Sequence, residues 1–220
     1  MQKIIHTLFL FLIYTNVTIA QENNCVRKVT FGDTDICLPT IEGYKECYTY
    51  PTVKQSADAT EVPINMVLGF YLDEETYAKK DNIGSISFDN YFKIYATKQI
   101  KDLKADTDIL KRMQGMISAS FLTENWDEFK KQLDTVDYEG EIGVPTIVKS
   151  YNANDQSFTA LLILKQKLDT GETNVLSFAM NGLLLQERLI WMAYYLDYEG
   201  EASIQKLQEN NDRILAQFFD

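Results

Sequence analysis

The chain has 220 residues, with 32 acidic side chains against 21 basic ones, a net charge of −11 and a single histidine, His6. So acidic a surface, with no Lys/Arg stripe to reverse it locally, repels phosphate backbones and anionic lipid and excludes nucleic acid as a partner. The length suits one domain with a substantial core, and no Pro/Gly/Ser-rich linker divides it.

The first 20 residues, MQKIIHTLFLFLIYTNVTIA, carry Lys3, then an apolar run through LFLFLIY, then small residues at Thr18 and Ala20. That is the plan of a secretory signal peptide with cleavage after Ala20. His6, Thr7, Thr15 and Asn16 interrupt the run, which falls short of the ~20 apolar residues that span a bilayer. Gln21 to Asn24 lack the apolar and small residues that a lipoprotein signal places before its cysteine. The expectation is a secreted or periplasmic protein, a single α+β domain over residues 21–220. It has no stable membrane insertion after signal cleavage and a mature charge of −12, because Lys3 leaves with the leader.

Export permits a disulfide, and Cys25, Cys37 and Cys47 leave one thiol over. A tight turn at Gly32-Asp33 sets Thr30 across from Asp35 and Lys28 across from Cys37, so Cys25 misses Cys37 in that register. Cys37 with Cys47 is the preferred pair, with three reduced thiols as the alternative. The spacings match no zinc site.

Period-two patterns follow. In INMVLGFYL the even positions Ile64, Met66, Leu68, Phe70 and Leu72 form one apolar face, and NYFKIYATK sets Phe92, Ile94 and Ala96 inward with Lys93 and Thr97 outward. TDILKRMQGMISASF reads as a helix capped by Thr107 or Asp108, with Ile109, Leu110, Met113, Met116, Ile117 and Phe121 as its stripe. A second helix carries Trp126, Phe129 and Leu133 behind a capping-box-like Asn125 and Glu128.

Phe158–Leu164, Val175–Met180 and Leu189–Leu196 are apolar on both faces, the pattern of strands in the middle of a covered sheet. The links Asn152 to Asp155 and Asp169 to Gly171 are short turn chemistry and join antiparallel neighbours. A turn at Gln186-Glu187 pairs Leu185 with Arg188 and carries Val175 opposite Tyr198, leaving Asn181-Gly182 as a bulge. The closing helix places Ile204, Leu207, Ile214, Leu215 and Phe218 on one side, with Asn211 on the same stripe. A buried asparagine must find hydrogen bonds, so Asn211 is expected to tie that helix to the sheet. The fold class is thus α+β, a mostly antiparallel sheet covered by helices on both faces as an α/β/α sandwich.

DYEGE occurs at 137–141 and again at 197–201. The flanking segments share no pattern, and neither copy has calcium-loop spacing. Both read as turns in which Gly140 and Gly200 take φ > 0 while the acids stay in water. His6 leaves with the signal, so the mature chain has no imidazole. Ser-His-Asp and Cys-His catalysis and His-ligated zinc are thereby excluded. No phosphate-cradling glycine motif occurs, and no cofactor or metal is expected. Carboxylate pairs such as Asp137 with Glu139 or Asp33 with Asp35 remain as formal acid/base candidates, although 32 acids produce such neighbours by composition alone.

Tyrosines carry the binding candidates. Tyr44, Tyr48 and Tyr50 fall on one face of an expected strand GYKECYTYP, and Tyr91 and Tyr95 share a face of NYFKIY. Tyrosine offers flat apolar area with a polar tip, suited to protein or sugar surfaces.

The succession EGYKECYTYP, NMVLGFYLDEETY, FDNYFKIYATKQIKD and TNVLSFAMNGLLLQERLIWMAYYLDYEGEASIQKLQENNDRIL resembles a group of uncharacterised secreted bacterial proteins. The final strand, the turn with Arg188, the aromatic strand and the closing helix cover about a fifth of the chain. That layout is also similar to the photosystem II extrinsic-subunit (PsbP-like) fold, an antiparallel sheet between helices whose members are mostly non-enzymatic accessory proteins. The resemblance implies a non-enzymatic role and transfers no catalytic motif. The sequence therefore reads as an exported accessory or binding protein for an unknown protein or glycan. A periplasmic immunity or inhibitor protein for a toxin or enzyme is the first alternative, and a carboxylate-dependent hydrolase the second.

Overall fold

The structure is a computed structural model that describes residues 25–82, 88–117, 119–135 and 140–219. The expected leader, 1–20, and the acids Asp137 and Glu139 of the first DYEGE lie outside the described residues.

Among the described residues, ten strands fall into two antiparallel sheets. β1 (Cys25–Phe31) and β2 (Thr34–Pro39) make a hairpin. The main sheet takes β3 (Tyr44–Glu46), β4 (Asn65–Asp73), β5 (Asn90–Thr97), β6 (Glu141–Ile142), β7 (Thr146–Asn154), β8 (Ser157–Lys167), β9 (Thr173–Leu185) and β10 (Arg188–Asp197). Their order is β3-β4-β5-β10-β9-β8, with both β6 and β7 paired to the outer side of β8. Six α-helices accompany them among the described residues: α1 (Pro51–Ala59), α2 (Glu74–Tyr77), α3 (Thr107–Met116), α4 (Ala119–Glu124), α5 (Trp126–Leu133) and α6 (Glu201–Ala216).

The β9–β10 hairpin turns at Gln186-Glu187, with Leu185 opposite Arg188 and the ladder continuous to Leu176 opposite Asp197. The expected bulge at Asn181-Gly182 does not form. Gly182 is there for space, because a Cβ would sit 2.3 Å from the Phe158 ring of β8. A bulge does occur in β4, where the register against β5 slips at Leu68. One extra residue reverses the side of everything after it. Met66 and Leu68 therefore pack with Tyr71, while Phe70 and Leu72 pack with Val67 in a separate cluster. The even-numbered face expected for this strand is split.

Alternation sorts the remaining core. Leu161, Ala179, Leu183, Ile190, Met192 and Tyr194 pack with Leu207, Ile214 and Leu215 of α6 and with Phe31, Ile36 and Leu38 of the β1–β2 hairpin. Phe158, Leu184 and Leu189 pack with Leu110 of α3, and Ala160 and Leu162 with Leu122 of α4. Each Leu, Ile, Met or Phe among them, fully buried, contributes about 1.5–3 kcal/mol of hydrophobic free energy.

Local signals set the helix ends. Asp106, one residue before the expected caps, accepts a hydrogen bond from the Ile109 amide at 2.9 Å. The capping box at α5 does not form, since Asn125 donates its amide back to the Phe121 carbonyl at 2.8 Å. Gly200, at φ 108°, starts α6 from the second DYEGE. Gly140, at φ 80°, lies against β8 so closely that a Cβ would meet the Lys167 carbonyl oxygen at 2.1 Å.

The disulfide joins Cys25 to Cys37, with Cα atoms 5.4 Å apart, and Cys47 is free and buried. This corrects the expected Cys37–Cys47 pair. Lys28 does face Cys37 and Thr30 does face Asp35, but β1 slips between Cys25 and Arg27, and the slip brings Cys25 within reach. Cys47 donates its thiol to the Phe70 carbonyl, and burial, with Glu46 next to it, pushes its pKa up to about 12.

Candidate functional site

The five candidate tyrosines separate into three places. Tyr44 is core: it is 4% exposed, its hydroxyl donates to Asn90 at 2.7 Å, and its ring meets Phe92 edge-on. Tyr48 and Tyr50 lie beyond β3, because that strand ends at Glu46 and Pro51 opens α1. Pro at the first helical position is pre-set for a helix and ends the extended run. Tyr50 shares a hydrogen bond with Tyr77 at 2.9 Å, and Tyr48 donates to Asp58 at 2.7 Å beneath the Lys54 ammonium.

Tyr91 and Tyr95 share a face of β5, and the fold extends Tyr91 into a ladder. Tyr91 stacks on Phe70 of β4 at 5.2 Å and on Tyr195 of β10 at 4.7 Å, and Tyr195 stacks on Phe178 of β9 at 5.5 Å. Four neighbouring strands thus contribute one ring each. The registers that pair Tyr195 with Tyr91 and with Phe178 produce it. Tyr91, Tyr95, Phe178 and Tyr195 are half-buried. Phe88 closes the β4 end, edge-on to Phe70 and Tyr91.

A desolvated ion pair lies beside the ladder. Lys93 meets Glu61 at 2.7 Å, with side chains only 14% and 8% exposed. Glu61 also accepts from Asn65 at 2.8 Å, and Asn65 accepts from Thr97 at 3.1 Å. Burial opposes the Lys93 charge, but Tyr195 and then Glu61 more than offset it and hold its pKa above the usual lysine value. Burial first, then Tyr195 and Glu61, push the Tyr91 and Tyr95 hydroxyls well above the usual tyrosine range. These hydroxyls are therefore protonated donors at neutral pH. Those of Tyr91, Tyr95 and Tyr195 have no hydrogen-bond partner among the described residues. A cavity of about 510 Å³ opens next to the pair, between Tyr48, Glu61, Asn65 and Lys98.

No family model matches the chain, and no curated protein matches it. A solved structure, the Ran-binding protein Mog1p of Saccharomyces cerevisiae, is similar over 90% of this chain and 93% of that one, at 11% identity and a TM-score of 0.37. Likeness at that level carries no argument for this chain.

The carboxylates are dispersed. Asp33 is exposed and receives the guanidinium of Arg188, Asp35 accepts from Thr30 at 2.8 Å, and Asp197, Glu199 and Glu201 are exposed. Among the described residues no three His, Cys, Asp or Glu side chains gather as a metal set. No helix among them is long and apolar enough to cross a membrane. Asn211 does tie α6 to the sheet: it exchanges hydrogen bonds with Asn181 at 2.9 and 3.0 Å, and Thr159 donates to Asn181 at 2.7 Å.

Sequence reasoning missed Tyr195, Phe178, Phe70, Glu61 and the role of Lys93. The turn at Gln186-Glu187 already fixes Phe178 opposite Tyr195, so half of the ladder was readable. Glu61 left no signal, because its loop reaches Lys93 only through the tertiary fold.

Proposed function

We propose that this is an exported, non-enzymatic binding or accessory protein that recognises a protein partner through the Tyr91–Tyr95–Tyr195 face. In this reading residues 21–220 form a single domain whose helices cover both faces of the sheet. What supports the two-sided cover is the alternation of core positions, odd ones in β8 and β9 meeting α6 and even ones meeting α3 and α4.

The observation that carries the recognition reading is the set of three half-buried tyrosines whose hydroxyls are unspent among the described residues, beside the Glu61–Lys93 pair. Tyrosine is enriched at the centres of protein interfaces. The stacked rings turn their faces to one another, so edges and hydroxyls are what they present. Such a surface suits carbonyl and carboxylate groups of a protein better than the flat face of a sugar. The acidic charge of the mature chain favours a basic partner and fast capture, which also supports the inhibitor variant of this reading.

The test is affinity capture from the exporting cell's extracytoplasmic fraction with residues 21–220, wild type beside the triple variant Tyr91→Phe, Tyr95→Phe, Tyr195→Phe. The variant keeps the rings and loses the hydroxyls. A partner held by wild type and released at least tenfold more readily by the variant, at unchanged melting temperature, supports the proposal. Equal retention by both proteins, or turnover of a generic substrate with no partner captured, contradicts it.

A further inference from the structure

A second cavity, of about 310 Å³, lies beside the β9–β10 turn. Four separate segments wall it: β2, the β7–β8 turn, the end of β9 and the tail after α6. Leu184, Phe218 and Phe219 supply apolar surface, and Gln156, Gln186 and Gln217 supply carboxamides. No charged residue lines it among the described residues, in a chain where 24% of residues are charged. The three carboxamides have no hydrogen-bond partner among the described residues. The backbone of Gln156 is pinned, its amide donating to Asn154 and its carbonyl accepting from Leu184, both at 2.8 Å.

An independent observation comes from the hairpin turn. Gln186 and Glu187 have φ of 49° and 60°, the left-handed region that two-residue hairpin turns normally give to Asn and Gly. Glu187 has reasons to be there: its carbonyl accepts from the Ala105 amide at 2.8 Å and its carboxylate pairs with Lys104 at 2.8 Å. Gln186 makes neither kind of contact, and its exposed side chain lines the cavity. The hairpin sets the φ, and a glutamine is kept there in place of the less strained Asn or Gly.

We infer that this cavity binds one unit of a neutral saccharide. A carboxamide both donates and accepts, which matches a hydroxyl that does the same, and three of them around apolar walls satisfy a polyhydroxylated ring. A charged sugar would lose its hydration with no counter-charge to meet it. The volume stands at the lower end of small-molecule sites and suits a compact ring rather than an extended peptide. Cys37 lines the same cavity, so the Cys25–Cys37 bond holds one of its walls.

Gln186→Gly separates binding from folding. It relieves the turn and removes the carboxamide, so its melting temperature should rise while saccharide binding falls. Saturation-transfer NMR on residues 21–220, with glucose, galactose, mannose, N-acetylglucosamine, maltose and cellobiose beside glucuronate and glucosamine, should show transfer to at least one neutral sugar. Titration of that sugar should show affinity lowered at least tenfold by Gln186→Gly and by Gln217→Ala, and unchanged by the triple Tyr→Phe variant. Absence of transfer to every neutral sugar at millimolar concentration overturns the inference. So does binding confined to the charged sugars, or binding that both glutamine variants retain.

Discussion

On the side of β9 that packs against α6, Asn181 has both ends of its carboxamide occupied: the nitrogen donates to Asn211 and to the Met192 carbonyl, and the oxygen accepts from Thr159 and Asn211. Three residues away, Phe178 stands in a ladder whose tyrosine hydroxyls are unspent among the described residues. The same strands hold both arrangements, and only the pleat separates them. Polar groups that serve folding are closed among themselves, because an unsatisfied buried donor costs more than a made bond returns. Donors left open at a half-buried face remain free to meet solvent or a partner.

The largest effect should come from the charge pair that anchors the open side. Lys93→Met strands Glu61 in a desolvated site and is expected to cost about 3–5 kcal/mol in urea denaturation, most of it recovered by adding Glu61→Leu. A small cost would mean that Glu61 reaches water, and the distinction between the two sides would weaken.

On the closed side, Asn211→Leu leaves Asn181 and Thr159 short of a partner and should cost about 2–3 kcal/mol with no loss of partner capture. Loss of capture there would break the comparison outright. The covalent clamp tests the framework common to both sides. Peptide mapping should recover Cys25 joined to Cys37 with Cys47 as a free thiol. Replacing both bridged cysteines by serine should cost about 3 kcal/mol, the amount that closing so short a loop removes from the unfolded chain's entropy.

The smallest effect concerns the second DYEGE. Burial first, then Asp89 and Glu199, raise the pKa of Asp197. A carboxyl whose folded pKa exceeds its unfolded one destabilises the fold as pH rises past the unfolded value. Asp197→Asn should therefore melt slightly above wild type at pH 7 and together with it below roughly pH 3, where both states are protonated. A variant that melts lower at pH 7 would give Asp197 a structural role that its exposure does not suggest.

How far the sequence reached can be judged at particular residues. The β9–β10 register followed from one turn, since Leu185 opposite Arg188 dictates Tyr195 opposite Phe178. Asn211 was legible because a polar residue on an apolar stripe must be satisfied. What escaped were one-residue slips: at Leu68, which reversed Phe70 and Leu72, and between Cys25 and Arg27, which changed the cysteine pairing. A bulge is decided by how a strand fits its neighbours and leaves no periodicity of its own. Alternation alone puts Tyr48 and Tyr50 on a strand, but the preference of Pro51 for a helix start outweighs it.

Hydroxyl-radical footprinting of the protein with its captured partner, read side chain by side chain, tests the central claim most directly. Protection concentrated at Tyr91, Tyr95, Tyr195 and Phe178, with Tyr151 and the α6 side unchanged, is the predicted result. Protection at α6 with those four residues as reactive as in the free protein would contradict it.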